Sequence, residues 1–188
     1  MSDPFFFGYG SLVNRRTHAY GEAYHARVAG WRRVWRHTPL REVAFLSVER
    51  ARGVELEGLI AAVPGGDWRA LDHREDGYRR HRLAEGLAHA ATRPVAAEIY
   101  AVPDNEADPS GALHPILLSY LDVVVQGYVR EFGEAGAERF FDTTRGWEAP
   151  VVDDRRAPRY PRAQTLTARE RGLVDAALTV LGVSVIGR

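Results

Sequence analysis

The chain contains no cysteine and no lysine among its 188 residues, and both absences narrow its chemistry. Without cysteine, disulfide bonds, thiolate nucleophiles and cysteine-ligated metal sites are excluded. Without lysine, all 25 basic residues are arginine, which we interpret as a coding bias rather than as selection for guanidinium groups. The 25 acidic residues bring the formal net charge to zero. Because nucleic-acid binders usually carry a basic excess, we expect no nucleic-acid partner.

Long apolar runs are also missing. The run Phe5–Phe7 is too short for a signal peptide, and no stretch approaches the roughly 20 apolar residues that span a bilayer. We therefore expect a cytoplasmic protein with no membrane partner. The composition, 45% hydrophobic and 27% charged, is typical of a globular chain. The length predicts a single domain over residues 1–188.

Strand patterns dominate the first half of the chain. Alternating and short apolar runs bounded by Gly and Pro predict these strands: residues 5–7, 23–35, 43–48, 54–63, 78–83 and 95–102. Gly30 suggests a bulge and Gly53 a turn between two strands. Ser11 is a candidate cap for a brief helix over 12–18, and Asp67 for a short helix that ends near Arg74.

Helical patterns dominate the second half. Apolar residues at helical spacing predict a helix over 115–132, and a second helix is expected over 134–141. Thr167 and Glu170 form a capping-box pattern for a last helix that reaches Leu181. We expect loops over 103–111 and 146–164, and an edge strand or tail over 183–186. Together the two halves predict an α+β fold, with a small mixed β-barrel or sheet flanked by helices.

The loop from Gly8 to Leu12 is the first feature that could carry chemistry. Two glycines around Tyr9 let the backbone turn sharply and approach a ligand closely. If a helix begins just after, the amides of Gly10, Ser11 and Leu12 point outward, and such amides bind carboxylates or an oxyanion. Taken alone, the loop also fits an ordinary turn between a strand and a helix.

The second feature is the carboxylate of Glu75, which lies in a run of charged residues, 72–76. A carboxylate that is partly buried or close to like charges has a raised pKa and can act as a general base near neutral pH. The alternative is a solvated helix end of mixed charge.

In their order and spacing, these features resemble the γ-glutamylcyclotransferase-like family, which includes the ChaC and AIG2 branches. The matching segments are Tyr9-Gly10-Ser11-Leu12, Val28-Ala29-Gly30-Trp31, Gly58-Leu59-Ile60-Ala61 and Leu71-Asp72-His73-Arg74-Glu75 with Gly77-Tyr78. The resemblance covers residues 5–102, and no motif carries over to the helical part, residues 113–188. Only Asp76 separates Glu75 from Gly77, whereas the ChaC branch commonly has a longer spacing there. This departure bears on glutathione specificity more than on the catalytic class.

The resemblance implies an enzyme that cyclises a small γ-glutamyl compound to 5-oxoproline and releases an amine or amino acid. It implies that Glu75 is the general acid/base and that Gly8, Tyr9, Gly10, Ser11 and Leu12 bind the substrate. It also implies that the reaction uses no cofactor and no metal. The sequence leaves open the leaving group and the oligomeric state. A non-catalytic module that binds a ligand or a protein on the same fold is the alternative.

Other patterns are weaker. Ser11 is not in a Gly-x-Ser-x-Gly elbow, so we interpret it as a hydrogen-bonding or capping residue rather than a nucleophile. Val13 replaces the third glycine of a dinucleotide fingerprint. The segment Trp31–His37 mixes aromatic and basic residues as some single-strand binders do, but Trp31 and Trp35 share a strand face, which favours a half-buried strand. The histidines at 37, 73, 81 and 114 lack a metal-binding spacing.

Overall fold

The computed structural model describes residues 2–104 and 111–187. Its strands are β1 (Phe5–Gly8), β2 (Ala23–Arg36), β3 (Phe45–Ala62), β4 (Arg79–Leu83), β5 (Leu87–His89), β6 (Ala97–Ala101), β7 (Ile116–Leu117), β8 (Thr144–Arg145), β9 (Val151–Asp153) and β10 (Val185–Gly187). Its helices are α1 (Arg69–Arg74), α2 (Leu118–Thr143) and α3 (Ala168–Val180). Most of the loop expected over 103–111 lies outside the described residues.

A mixed sheet forms the centre of the fold. Its strands run in the order β4-β6-β1-β3-β2-β5, and β8 pairs with β2. The pair β1 and β6 is parallel, as is β2 and β8, whereas the other pairs are antiparallel. A smaller parallel sheet joins β7, β9 and β10. The main sheet curls into a half-barrel flanked by helices, which confirms the α+β fold predicted from the sequence.

The long hairpin of β2 and β3 corrects one prediction. We expected Gly53 to turn the chain between two strands, but β3 runs unbroken past it. Gly53 and Gly30 both have positive φ, at 77° and 80°. They lie where the pairing register shifts between Ala29 and Trp31, so glycine serves here to form a bulge rather than a turn. The bulge predicted at Gly30 is confirmed, and β5 is a strand that the sequence patterns missed.

Several element ends also differ from the predictions. The helix expected from residue 115 begins at Leu118, because Ile116 and Leu117 pair with β9 instead. Within α2 the helix is interrupted at Gly133, where φ is 69°, so the predicted division into two helices is confirmed. The capping box of Thr167 and Glu170 opens α3 as predicted. Within the expected loop over 146–164, Val151–Asp153 forms a strand, and the predicted edge strand near the end is β10.

The core draws on both halves of the chain. The larger cluster packs β1, β2 and β3 against one face of α2, with Phe7, Ile60 and Tyr128 almost fully buried. A smaller cluster lies beyond the other face of β1 and contains Phe6, Leu12, Leu71 and Tyr100 among its members. Because Leu12 follows the glycine loop and Leu71 belongs to α1, the smaller cluster places those two segments together.

The close approach of β1 explains why residue 58, in the middle of β3, is glycine. A Cβ added at Gly58 would lie 2.2 Å from the carbonyl oxygen of Gly8 and 2.9 Å from the ring of Phe7. The first of these neighbours is backbone and cannot give way without moving β1. We therefore expect Gly58→Ala to destabilise the fold by about 2 kcal/mol or more, as overpacking does.

Gly172 in α3 provides a matched control, since no heavy atom lies within 4 Å of a Cβ added there. Gly172→Ala should leave the free energy of unfolding unchanged or raise it by up to about 1 kcal/mol, because alanine favours helix. Urea denaturation of both variants measures the contrast. Equal stability of the two variants would contradict the close approach of β1 and β3.

Candidate active site

Glu75 lies at the end of α1, where three local features set its position. It is the C-terminal capping residue of the helix, with φ −94° and ψ 33°. Its amide donates to the carbonyl oxygen of Leu71 at 2.9 Å, and its own carbonyl accepts from the amide of Tyr78 at 2.9 Å. Gly77, with φ 90°, then turns the chain into β4. The side chain of Glu75 keeps 16% of its exposure, whereas that of Asp76 keeps 83%.

The loop from Gly8 to Leu12 leaves β1 and enters two short 3₁₀ turns, Ser11–Val13 and Arg15–Thr17. This corrects the expected helix over 12–18 with Ser11 as its cap. The capping residue of the first turn is Gly10, without a side-chain bond, and the side chain of Asn14 caps the second. Short turns form here because Asn14 is held by α2: its Nδ2 donates to the carbonyl of Val123 at 2.9 Å.

A buried hydrogen-bond network holds the loop to the sheet and to α2. The hydroxyl of Tyr128 lies 2.9 Å from the carbonyl oxygen of Tyr9 and accepts from Nη1 of Arg33 at 2.7 Å. The hydroxyl of Tyr9 donates to the carbonyl of Tyr100 in β6 at 2.6 Å. Both the main chain and the side chain of Tyr9 are therefore committed to structure, and the loop is fixed from two sides.

Glu75 and the glycine loop meet at a small internal cavity. Its volume is about 20 Å³, roughly the room that one water molecule needs. Besides Glu75, its lining includes all five loop residues expected to bind substrate: Gly8, Tyr9, Gly10, Ser11 and Leu12. The phenol rings of Tyr78, Tyr100 and Tyr120 complete the wall. The structure thus brings together the two features that the sequence motifs singled out.

A much larger cleft of about 770 Å³ opens on the other side of Glu75. Its walls come from the connection between β2 and β3, from the end of α1, from the start of α2, and from a segment after β9. The lining includes Arg41, Phe45, Leu46, His73, Arg74, Glu75, Asp76, Tyr78, Tyr120, Arg159, Tyr160 and Arg162. Ser11, Leu46, Glu75, Tyr78 and Tyr120 line both spaces. Glu75 therefore lies at their junction.

Arg74 joins the glycine loop to Glu75. Its Nε lies 3.0 Å from Oε1 of Glu75, and its side chain keeps only 8% exposure. Nη1 donates to the carbonyl of Thr17 at 2.8 Å, while Nη2 donates to Oγ1 of Thr17 at 3.0 Å and to Oγ of Ser11 at 3.2 Å. One planar guanidinium thus spans the second 3₁₀ turn, the loop and the carboxylate.

Burial dominates the protonation of the acidic groups at this junction. It raises the pKa of Glu75, although the guanidinium groups of Arg74, Arg162 and Arg41 act in the opposite direction. Burial also raises the pKa of Tyr9, Tyr78 and Tyr120 well above the ordinary value, so their hydroxyls stay protonated. The site consequently combines a carboxyl group that keeps its proton to higher pH than an ordinary glutamate with hydroxyl groups that stay protonated.

The hydroxyl of Tyr120 lies against the glycine loop. A Cβ added at Gly10 would lie 2.8 Å from it, so a larger residue at position 10 would displace this hydroxyl. Within residues 2–104 and 111–187, the amides of Gly10 and Leu12 donate no hydrogen bond to a protein group, as is usual for the first turn of a helix. These amides, together with the Tyr120 hydroxyl, are available to a bound ligand.

Among the described residues, no histidine and no carboxylate forms a hydrogen bond with Oγ of Ser11, so nothing activates it as a nucleophile. Its Oγ accepts from Arg74. His18, the histidine closest to the loop in sequence, uses Nε2 for a bond with the carbonyl of Leu12 at 3.0 Å and Nδ1 to accept from the amide of Tyr20 at 3.2 Å. No group of three His, Asp or Glu residues suited to a metal ion is present in the described part of the chain. No helix there is long and apolar enough to cross a membrane.

Sequence reasoning missed the residues that surround Glu75 from the second half of the chain. Tyr120 comes from α2, and Arg159, Tyr160 and Arg162 come from the segment after β9. Their positions depend on tertiary packing, since no local pattern distinguishes them from other exposed arginines and helical aromatics. Arg74 belongs to the segment Leu71-Asp72-His73-Arg74-Glu75, but no pattern in the sequence predicted its side-chain contacts to Ser11 and Thr17.

Comparison with solved structures identifies the fold. The chain is similar to a γ-glutamyl cyclotransferase with a TM-score of 0.58 and 13% identity, over 94% of this chain and 99% of that one. An uncharacterised human protein, loc79017, gives 0.56 and 12%, over 93% and 99%. YkqA from Bacillus subtilis gives 0.55 and 17%, over 78% of this chain and 57% of that one. The sequence itself matches no family model and no curated protein. The chain therefore has the γ-glutamyl cyclotransferase fold, which confirms the resemblance read from its motifs.

The raised pKa of Glu75 has a consequence for stability. The folded chain binds this proton more tightly than the unfolded chain, so the carboxyl costs no stability below its unfolded pKa and destabilises the fold as the pH rises through its folded pKa. Glu75→Gln, which resembles the protonated form, should melt close to wild type at acid pH and above it at neutral and alkaline pH. Thermal melts followed by circular dichroism across this range measure the difference. A variant that melts below wild type at neutral pH would show that the Arg74 pairing outweighs burial.

Proposed function

We propose that the chain is a γ-glutamyl cyclotransferase, which converts a γ-glutamyl compound to 5-oxoproline and a free amine or amino acid. One observation carries this proposal: the partly buried carboxyl of Glu75 lines the same cavity as the loop from Gly8 to Leu12. The fold shared with a solved γ-glutamyl cyclotransferase is consistent with it. Glu75 is the proposed general acid/base, and the loop the proposed substrate-binding element.

The first task of such a site is to fold the substrate. The α-amine attacks the γ-carbonyl carbon of the same molecule, and the new C–N bond closes a five-membered ring while the bond to the leaving nitrogen breaks. Because both reacting groups belong to one molecule, the enzyme gains most by holding them in an attack geometry. A loop fixed by the Tyr128–Tyr9 and Arg74–Thr17 hydrogen bonds is suited to this positioning.

The second task is proton transfer. The substrate amine is protonated at neutral pH and cannot attack until it loses a proton. The carboxylate of Glu75 accepts this proton, and the resulting carboxylic acid donates it to the leaving nitrogen as the tetrahedral intermediate collapses. A pKa raised by burial suits both steps, since the group must accept and return a proton within one turnover. After the attack the ring nitrogen carries one proton more than the lactam keeps. The regenerated carboxylate of Glu75 accepts this second proton and passes it to the released amine or to solvent, so the protons balance and the reaction needs no cofactor and no metal.

The third task is stabilisation of the oxyanion that forms on the γ-carbonyl oxygen. The amides of Gly10 and Leu12 lie at the same cavity without protein acceptors among the described residues. The hydroxyl of Tyr120, which stays protonated, lies beside Gly10. Donors of this kind, fixed before the reaction, contribute most when charge develops in a site that excludes water.

The test of this proposal compares two neighbouring carboxylates. Purified protein is expected to release 5-oxoproline from at least one member of a panel of γ-glutamyl amino acids, peptides and amines. Glu75→Gln should lower the turnover by about 100-fold or more, which is the usual contribution of a general acid/base. Chromatographic detection of 5-oxoproline gives the rates.

Asp76→Asn is the matched control, because Asp76 is adjacent in sequence but its side chain is exposed. This variant should keep most of the activity. Loss of activity in Asp76→Asn with full turnover in Glu75→Gln would move the base by one residue. An inactive wild-type protein that still binds γ-glutamyl compounds would instead favour the non-catalytic binding module.

Arg74 leads to a separate prediction about pH. Its guanidinium lowers the pKa of Glu75, and rates should rise with pH as Glu75 loses its proton. Arg74→Gln removes this charge, so the acid limb of the pH profile of kcat/KM should move to higher pH. The charges of Arg162 and Arg41, and the protonated hydroxyls of Tyr9, Tyr78 and Tyr120, still face Glu75 in the variant.

Arg69→Gln is the control on the same helix, since the Arg69 side chain is 91% exposed and its ion-pair partner among the described residues is Asp67. It should leave the acid limb in place. A lower rate in Arg74→Gln without a displaced limb would mean that Arg74 acts only as a structural tie between the loop and α1.

A further inference from the structure

The charged side chains of the large cleft are not all paired. Arg74 pairs with Glu75, and Arg41 lies 3.7 Å from Asp76. The guanidinium groups of Arg159 and Arg162 form no ion pair and no hydrogen bond with any residue in the described ranges. Glu42 is the one unpaired carboxylate in the same lining. Two free cations against one free anion leave the cleft with a positive balance in front of Glu75.

The segment that carries these arginines is firmly attached to the fold. The carboxylate of Asp154 accepts from the amide of Ser119 at 2.7 Å, from the Ser119 hydroxyl at 2.6 Å and from the amide of Arg159 at 2.9 Å. The ring of Tyr160 packs edge-on against Tyr120 with centroids 5.0 Å apart. Arg162 is half-buried, two residues beyond this contact. The unpaired guanidinium groups therefore extend from an anchored backbone.

Arg162 lies on the large-cleft side of Glu75. It is close enough to Glu75 to oppose the rise in the pKa of that carboxyl. It lines the large cleft but not the small cavity formed by the glycine loop. The small cavity has room for roughly one water molecule, so a γ-carbonyl group that reaches it leaves the rest of the substrate, including the leaving portion, in the large cleft.

We propose that Arg162, assisted by Arg159, forms a subsite for a carboxylate on the leaving portion of the substrate. The inference rests on the proposed cyclotransferase function and selects among its substrates. A guanidinium forms two parallel hydrogen bonds with a carboxylate, so the contact is strong and directional. The preferred substrates are then γ-glutamyl amino acids or peptides whose carboxylate reaches this subsite. The γ-glutamyl amines lack that group, and those with a cationic tail are repelled.

The experiment compares two substrates that differ in one charge, γ-glutamyl-alanine and γ-glutamyl-alaninamide. The ratio of their kcat/KM values should favour γ-glutamyl-alanine by about tenfold or more, as expected for a charge-assisted hydrogen bond. In Arg162→Gln this ratio should fall close to one, because γ-glutamyl-alanine loses more activity than γ-glutamyl-alaninamide does. Arg156→Gln is the matched control, since Arg156 belongs to the same segment but is exposed and does not line the cleft.

A binding measurement separates this inference from the proposed function. Glu75→Gln protein, expected to bind without turnover, is titrated with both compounds by calorimetry, with and without Arg162→Gln. Tighter binding of γ-glutamyl-alanine that depends on Arg162 supports the subsite even if no 5-oxoproline forms, in which case only the proposed reaction fails.

Two outcomes overturn the subsite. The first is equal handling of the two compounds by wild-type protein, which leaves the cyclotransferase proposal standing if both give 5-oxoproline. The second is an equal loss on both compounds in Arg162→Gln, because the guanidinium would then act on the glutamyl α-carboxylate or on Glu75, which the two substrates have in common.

Discussion

The candidate site depends on one guanidinium. Arg74 is the last residue of α1, yet its hydrogen bonds reach two turns of the chain that precede it by more than fifty residues. Two other links join the glycine loop to α1: Tyr100, whose carbonyl accepts from Tyr9 and whose hydroxyl donates to Asp72, and the apolar packing around Leu12 and Leu71. Arg74 thus helps to fix the distance between the glycine loop and the carboxyl of Glu75. It also moderates the cost of keeping a carboxyl group in a largely buried position, since the charge that attracts Glu75 is itself held in place.

The parts of this site that come from the first half of the chain, the glycine loop and Glu75, could be predicted from the sequence. Glycine at positions 8, 10 and 58 marks places where a Cβ would lie under 3 Å from a neighbouring atom, so these glycines in the sequence pointed to close packing around the loop. The α+β class followed from the change in apolar period between the two halves. The predicted strands and helices were mostly correct, and the capping box of Thr167 and Glu170 identified the start of α3 to the residue.

The errors share a physical cause. Glycine is typical of turns, but the positive φ of Gly53 is used in a bulge opposite Gly30. The pairing of β2 with β3, rather than the local sequence, determines this outcome. Ser11 has the character of a cap, but its hydroxyl is taken by Arg74, which is distant in sequence. Tyr120, Arg159 and Arg162 are brought to Glu75 by the docking of α2 and the segment after β9. Sequence patterns reflect the conformational preferences of neighbouring residues, whereas these positions are set by contacts with residues that are distant in the chain.

The anchoring of the segment from Asp154 to Arg162 has a consequence for how this site can change. Its backbone is held by Asp154 and Tyr160, while the guanidinium groups of Arg159 and Arg162 form no hydrogen bond or ion pair with any part of the described chain. The contacts that anchor this backbone are therefore independent of the side chains that give the cleft its positive charge. Replacing the side chains at 159 and 162 alters what the cleft attracts and keeps the contacts that anchor the segment, while loss of Arg162 also removes a charge that lowers the pKa of Glu75. Under the proposed function, the group assigned to proton transfer comes from the first half of the chain, and the side chains assigned to substrate choice come from exposed or half-buried positions in the second half.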